Sequence, residues 1–241
     1  MNKLDFIYQD EEIFCVNKPA GLHSVALSEG GGPSVAALLL DQDPSLKNVS
    51  LKELDAGLVH RLDLSTSGAL LGAKTRRAWE KLHHELNNGQ VEKEYLILCE
   101  GIFEDTRTYQ SWIGSDARRA KKVKSYEIKP KSSDRFLYGK TEFSPEFIDK
   151  VHNVSLIRAK SSLARRHQVR IHAASLGHPL VGDALYGATS QFKVVLANLG
   201  ALIGEDRDFF LHAIRLSFNH PSKTEKIDIV AESEIYNRIK S

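Results

Sequence analysis

The sequence predicts a domain of the α+β class with more strands than helices. Short apolar runs bounded by turn residues recur along the chain, as at 6–17 and 211–230. Amphipathic helical spacing is confined to a few segments, of which 75–88 is the clearest. The length of 241 residues fits one large domain, so we expect 1–241 to form a single domain. An apolar fraction of 41% supports a sizeable core.

The strand and helix signals alternate along the chain. The predicted strands are two over 6–17, then 69–73, 91–100, 151–163, 211–219 and 226–230. The predicted helices are 34–40 with Ser34 as N-cap, 75–88 ended by Asn88 and Gly89, 166–176, and 232–240. The segment 112–140 is polar, basic and weakly periodic, which predicts a loop or a surface hairpin.

Composition indicates a soluble cytoplasmic protein. The N-terminus has an early acid and no apolar core of a signal peptide, and no stretch reaches transmembrane length. Cys15 and Cys99 lie in apolar, strand-like runs, which favours two buried thiols over a disulfide. The net charge of +2 argues neither for nor against nucleic acid.

The run from His60 to Gly68 reads HRLDLSTSG and is the strongest functional signal. It sets the carboxylate of Asp63 between the cationic pair His60 and Arg61 and a short polar turn. A lone Asp in such a setting can act as a nucleophile whose ionised form is favoured by nearby positive charge. The alternative is a turn residue that caps backbone N–H groups.

Four further sequence blocks lie before and after this run. They are the KPAG of 18–21, Lys93-Glu94-Tyr95 with Gly101, RRHQVRIH at 165–172 with LGHPLVGDALYG at 176–187, and LHA at 211–213 with His220-Pro221. Together the five blocks resemble the RluA-type RNA pseudouridine synthases, over residues 13–221. The resemblance implies the pseudouridine synthase fold: a mixed, mainly antiparallel β-sheet core with flanking helices and loops.

The resemblance also implies an isomerase. The C1′–N1 bond of a uridine breaks, the base rotates, and C5 joins C1′. Asp63 matches the nucleophile, which either attacks C1′ or acts at the ribose to give a glycal. Tyr95 matches an aromatic that stacks on the base and serves in a later proton transfer, and Arg170 matches the arginine that pairs with the catalytic carboxylate. Arg61, with His60 beside it, matches a substrate-binding position that helps fill the space left by the extruded uridine.

A basic segment between 118 and 131 predicts contact with RNA phosphates. Its leading cations are Arg118, Arg119, Lys121, Lys122 and Lys124. Arg165 and Arg166 extend this track of positive charge. The alternative is an ordinary solvated face.

The expected partner is therefore RNA, either ribosomal or transfer RNA, and the protein is expected to be a monomer that binds no membrane. We expect no cofactor and no metal, because the ten histidines form no ligand motif. A separate N-terminal S4 domain is not expected. Two alternatives stay open: a catalytically silent RNA-binding module of the same fold, and an enzyme that cleaves nucleosides or glycosides. The second usually needs another positioned carboxylate, which no motif here supplies.

Overall fold

The computed structural model describes residues 4–26, 32–117, 120–131, 134–201 and 207–240. In chain order, the strands are β1 (Phe6–Gln9), β2 (Ile13–Lys18), β3 (Ser67–Ala73), β4 (Glu92–Glu100), β5 (Arg107–Gly114), β6 (Lys124–Tyr126), β7 (Leu137–Asp149), β8 (Val154–Ser161), β9 (Leu211–Asn219) and β10 (Lys226–Val230). The α-helices are α1 (Val35–Gln42), α2 (Arg76–Asn87), α3 (Gln168–Ser175), α4 (Phe192–Asn198) and α5 (Glu234–Lys240). Short 3-10 helices cover Pro44–Asn48, Glu53–Asp55 and Ala184–Tyr186.

The chain divides into two compact units. The first unit comprises Met1–Glu92, Glu205–Arg207 and His212–Ser233, and the second comprises Lys93–Gly204, Asp208–Leu211 and Glu234–Ser241. The expectation of a single catalytic domain stays a prediction.

The first unit contains strands in the order β1-β2-β3-β9, with β10 paired to β9. All pairs are antiparallel except β3 with β9, which run parallel and pair Ser67 with His212 and Gly68 with Ala213. A Cβ on Gly68 would lie 2.3 Å from the carbonyl oxygen of Ala213, and Gly68 has a φ of +106°. Only glycine permits this approach, which fixes the chain direction just after the loop that carries Asp63.

Apolar residues of β2 and β3 form the centre of the first unit. Every residue of β3 is buried, as expected of a strand covered on both faces. Helix α2 begins after Thr75, whose side chain accepts a hydrogen bond from the Ala78 N–H, and it buries Leu82 in this core. Helix α1 is capped in the same way by Ser34, as predicted.

The second unit contains an antiparallel sheet in the order β4-β8-β7-β5-β6. Polar side chains join α3 to the buried face of this sheet. His172 on α3 contacts the hydroxyl of Ser111 on β5 through Nε2 at 2.9 Å and that of Thr141 on β7 through Nδ1 at 2.9 Å. Burial lowers the pKa of His172 to about 4, which favours the neutral ring.

The predicted class is confirmed: the strands are mixed and mainly antiparallel, and the helices are few. Of the two interpretations of 112–140, the surface hairpin is confirmed, because β5 and β6 pair as antiparallel strands. The extent of the strands was not predicted: β5 continues to Gly114 and β7 begins at Leu137. The cause is that polar residues occupy the buried positions of these strands. Ser111, Gly139 and Thr141 are buried where a sheet normally places apolar side chains, so the alternating pattern is hidden.

Cys15 and Cys99 are both buried free thiols, as predicted. In the part of the chain that the structure describes, no helix has the length and apolar character needed to cross a membrane.

Candidate active site

Three hydrogen bonds fix the loop of the first unit that carries Asp63. The Ser24 hydroxyl donates to the Leu62 carbonyl and accepts from the Leu62 N–H, both at 2.9 Å. The Gly21 N–H donates to the Leu64 carbonyl at 3.0 Å. The residues on both sides of Asp63 are therefore held, while Asp63 itself is only partly buried. The loop presents one carboxylate from a rigid support.

Lys18 is the most deeply placed charge of this loop region. Its side chain is fully buried, and Nζ donates to the carbonyls of Pro19, Leu22 and Leu64, at 2.9, 2.6 and 3.3 Å. Burial lowers the pKa of Lys18 to about 7; the charge of Arg207 acts in the same direction and that of Asp63 opposes it. The lysine of the KPAG block thus fastens the Asp63 loop and places a cation within electrostatic reach of the carboxylate.

His60 and Arg61 have different surroundings. His60 Nε2 accepts a hydrogen bond from the Leu71 N–H at 3.1 Å, so the proton of the neutral ring is on Nδ1. His60 therefore binds the backbone of β3 and also lies close to Asp63 in the sequence. Arg61 is exposed, which leaves its guanidinium accessible to a substrate. Their roles in substrate binding stay predictions.

Tyr95 lies on β4 in the second unit, opposite Ala159 of β8, and is buried. Lys93, two residues earlier and therefore on the same face of β4, is also buried and donates from Nζ to the Ser162 carbonyl at 3.2 Å. Burial, with the charge of Arg165, lowers the pKa of Lys93 to about 8. The predicted role of Tyr95 at the base is neither supported nor contradicted by these contacts.

Arg170 lies on α3 and is buried. Its Nε and one terminal nitrogen donate to the two carboxylate oxygens of Asp183, at 2.6 and 2.7 Å. The guanidinium carbon lies 4.4 Å from the ring centroid of Phe209 and 5.1 Å from that of Tyr186. The carboxylate that orients Arg170 within its own unit is thus Asp183, which the sequence interpretation had not singled out. The pairing of Arg170 with Asp63 stays a prediction.

Tyr186 joins Arg170 to the basic segment. Its hydroxyl accepts a hydrogen bond from the Val123 N–H at 3.1 Å and lies 2.8 Å from Nδ1 of His167. Val123 is buried in a small apolar cluster with Ile171 of α3. The basic segment is therefore docked on the helix that carries Arg170 rather than lying free in solvent.

Gln168 holds the start of α3. Its amide nitrogen donates to the Lys140 carbonyl and to the hydroxyls of Thr141 and Ser161, and its oxygen accepts from the Arg165 N–H. Arg170 is two residues further along α3. This support could not be recognised from the sequence, because Thr141 and Ser161 belong to distant strands and no spacing links them to Gln168.

The predicted phosphate-binding cations are only partly free of protein contacts. Arg165 donates from Nε to the Tyr138 carbonyl, and Arg166 donates to the carbonyls of Ala120 and Lys121. Lys121, Lys122 and Lys124 are exposed. Lys122 lies over the Tyr186 ring at 5.2 Å, and Lys124 pairs with Asp116 at 2.5 Å. Arg118 and Arg119 lie outside the described residues.

Potential metal ligands are spread apart in the described ranges. Within them, no three His, Cys, Asp or Glu side chains come together as potential ligands. The expectation of a metal-free protein stays a prediction.

Comparison with known proteins agrees with this arrangement of motifs. A family model described as RNA pseudouridylate synthase matches residues 12–175. The chain is 33% identical over 233 residues to the ribosomal large subunit pseudouridine synthase D of Xylella fastidiosa, covering 95% of the chain and 65% of the relative. It is 31% identical over 226 residues to the synthase C of Haemophilus ducreyi, covering 93% and 64%. The chain thus spans slightly less than two thirds of these curated relatives.

Another relative is closer in length. The uncharacterized RNA pseudouridine synthase YhcT of Bacillus subtilis is 32% identical over 232 residues, which cover 96% of the chain and 68% of that protein. Two human structures share the fold. RNA pseudouridylate synthase domain containing 1 has a TM-score of 0.68 at 24% identity, covering 96% of this chain and 84% of that one. For domain containing 4, the TM-score is 0.71 at 19% identity, with coverages of 98% and 93%. The chain belongs to the RNA pseudouridylate synthase family.

Proposed function

We propose that the chain isomerises uridine to pseudouridine within RNA, with Asp63 as the reacting carboxylate. The observation that carries this proposal is the support of the Asp63 loop. Ser24 and Gly21 fix the residues on either side of Asp63, and the buried Lys18 lies within electrostatic reach of it. A carboxylate held by a fixed loop is positioned to react at the ribose of a bound uridine.

The other roles follow from the family motifs. Asp63 acts at the ribose while the C1′–N1 bond breaks and C5 is joined to C1′; attack at C1′ and formation of a glycal both remain open. Tyr95 stacks on the reacting base. A base that leaves its stack loses about 2–4 kcal/mol of stacking free energy, which contact with an aromatic ring can replace. Arg170 pairs with the carboxylate of Asp63. Arg61, which is exposed, occupies the space left by the extruded uridine.

The proposed substrate is ribosomal or transfer RNA. Relatives in Xylella fastidiosa and Haemophilus ducreyi are named for the large ribosomal subunit, which favours ribosomal RNA for this chain. Lys121, Lys122 and Lys124, with Arg165 and Arg166, contact the RNA backbone. The protein acts as a monomer in the cytoplasm and needs no cofactor, because the isomerisation is internal to the substrate.

The test is Asp63→Asn, which keeps the size of the side chain and removes its charge. Asp41→Asn, at an exposed position of α1, is the matched control. Purified proteins are incubated with ribosomal and transfer RNA that lack pseudouridine, and pseudouridine and free uracil are both quantified. We expect Asp63→Asn to bind RNA within about threefold of the unmodified protein and to form no pseudouridine, while the control is fully active.

The same products separate the alternatives. A silent RNA-binding module would bind RNA without yielding pseudouridine or uracil from either RNA. An enzyme of the glycosylase type would release uracil. Substantial pseudouridine formation by Asp63→Asn would show that another group performs the chemistry, and would refute the role of Asp63.

A further inference from the structure

A row of three aromatic side chains crosses the edge of the sheet in the second unit. Trp112 on β5 is paired with Tyr126 on β6 and, on its other side, with Tyr138 on β7. Directly paired residues of antiparallel strands project to the same face of a sheet. The rings of Trp112 and Tyr138 meet edge to face, with centroids 5.8 Å apart. Trp112, Tyr126 and Tyr138 therefore lie side by side, and we refer to them as the aromatic row.

The aromatic row faces away from α3. The neighbours of Trp112 along β5, Ser111 and Ile113, are buried, and Ser111 bonds to His172 of α3. Because side chains alternate along a strand, Trp112 projects from the opposite face. Tyr126 and Tyr138 are 38% and 36% exposed, and Trp112 between them is half-buried. Aromatic side chains grouped on an exposed face are typical of an interaction site rather than of a core.

Positively charged residues lie close to the aromatic row. The described residues between 120 and 135 include six lysine or arginine residues and two acidic ones. Lys129 Nζ lies 5.0 Å from the ring centroid of Trp112. Lys140 is exposed on β7 opposite Gln110, on the same face as Trp112. Arg165 donates to the carbonyl of Tyr138. The aromatic row is thus bordered by cations on the loop side and along β7.

We propose that the aromatic row is a second RNA contact, which stacks unpaired bases while the neighbouring lysines bind their phosphates. Aromatic rings interspersed with cations are the common means of holding single-stranded nucleic acid. Bases in an A-form duplex are already stacked and cannot reach the rings. This second contact rests on the proposed function because its ligand is the RNA substrate. It binds bases other than the reacting uridine.

Tryptophan fluorescence tests this contact directly. The chain has two tryptophans, and the other, Trp79, is buried in the first unit, with Nε1 bonded to the Leu58 carbonyl. The probes are a single-stranded oligouridylate and an RNA duplex of the same length. We expect the single strand to quench the emission, the duplex to quench it much less, and Trp112→Phe to abolish the quenching.

Affinity measurements then separate stacking from charge. Trp112→Ala and Tyr138→Ala should each weaken binding of the single strand about tenfold, whereas Trp112→Phe, which keeps a stacking ring, should weaken it by less than about threefold. Tyr236→Ala, at an aromatic of α5, is the matched control and should leave the affinity unchanged. Circular dichroism of each variant checks that it is folded, and the quenching of the unmodified protein supplies a result even if an alanine variant does not fold.

Three results would overturn the inference. The first is equal quenching by the single strand and the duplex, and the second is unchanged RNA affinity in both folded alanine variants. The third is that Trp112→Ala loses self-association but keeps its RNA affinity, which would identify the aromatic row as a protein interface. Isomerase activity measured in parallel keeps this inference separate from the proposed function. Single-strand-selective quenching without pseudouridine formation would refute the proposed function alone, and pseudouridine formation without quenching would refute the second contact alone.

Discussion

Arg170 and Asp183 form a buried, bidentate ion pair, with donor–acceptor distances of 2.6 and 2.7 Å. Asp183 lies just before the 3-10 helix Ala184–Tyr186, and Arg170 lies on α3. The two hydrogen bonds lie in the plane of the guanidinium, and the rings of Tyr186 and Phe209 pack close to it. Asp183 is therefore expected to orient Arg170 for its proposed pairing with a second carboxylate.

The first prediction concerns Asp183→Asn. This change leaves a buried guanidinium facing a neutral amide, and breaking a buried ion pair at one partner typically costs about 3–5 kcal/mol of unfolding free energy. Chemical denaturation is the measurement. In a double-mutant cycle with Arg170→Met, the double variant should lose less than the sum of the two single losses. Strictly additive losses would mean that the two side chains do not stabilise each other.

The position of Asp63 could be predicted because the information is local. A run of nine residues contains the carboxylate, its flanking cations and the turn that ends in Gly68. The caps of α1 and α2 were predictable for the same reason, since Ser34 and Thr75 bond to residues three positions later.

What could not be predicted depends on contacts between distant segments. The polar residues Ser111 and Thr141 are buried because His172 and Gln168 bind them from α3. In the sequence they look like solvent-exposed positions, which concealed β5 and β7. Asp183 lies in the LGHPLVGDALYG block at 176–187, but an Asp in a turn more often caps backbone groups than binds a buried arginine. No spacing in the sequence links Asp183 to Arg170, and only the folded position of α3 brings the two side chains together.

Lys18→Met tests the support of the Asp63 loop. Methionine keeps the length of the side chain but removes three hydrogen bonds to carbonyls. We expect a large fall in the rate of pseudouridine formation with a smaller effect on RNA affinity. The Gly21 amide, which donates to the same Leu64 carbonyl as Lys18, should exchange its hydrogen faster. Unchanged exchange together with an unchanged rate would show that the loop is held without Lys18.

Lys18 also predicts a pH dependence. Its pKa is about 7 in the folded chain against an ordinary value of 10.5. Between these values the unfolded chain binds more protons than the folded chain, so the contribution of Lys18 to stability rises with pH across this window. The unfolding free energy of the unmodified protein, minus that of Lys18→Met, should therefore increase between pH 7 and pH 10. A difference that is flat or falls over this range would contradict the lowered pKa.

Asp10 predicts an acid dependence of stability. Burial alone would raise its pKa, but hydrogen bonds from the backbone of Ile13 and Glu12 and from the side chains of His220 and Tyr8 hold the pKa well below its ordinary value. The stabilisation is present above the unfolded pKa of about 3.9 and is lost as the pH falls through the lower folded value. Asp10→Asn should cost about 1.5–3 kcal/mol at pH 7, and the cost should shrink below pH 4. Unfolding curves at several pH values measure this cost, with Asp41→Asn, at an exposed position of α1, as the control.

The basic segment predicts a change in the salt dependence of RNA binding. Each phosphate neutralised adds about 0.7–0.9 to the slope of log affinity against log salt. Replacing Lys121, Lys122 and Lys124 together by Ala should flatten this slope by up to about 2–3 units. Lys124 should contribute least, because its charge is already paired with Asp116 in the free protein.

The same triple variant distinguishes capture of RNA from catalysis. Backbone contacts carry little sequence information, so affinity should fall similarly for all RNAs, while turnover at saturating RNA should change little. A charge-matched control replaces Lys47, Lys52 and Lys226, which are exposed positions of the first unit, and should leave the slope near that of the unmodified protein. The hydrogen bond between Val123 and Tyr186 holds this segment on the protein, so a purely structural role of the lysines is the alternative. If the triple variant loses stability while keeping its full salt slope, these lysines hold the segment on α3 and do not contact RNA phosphates.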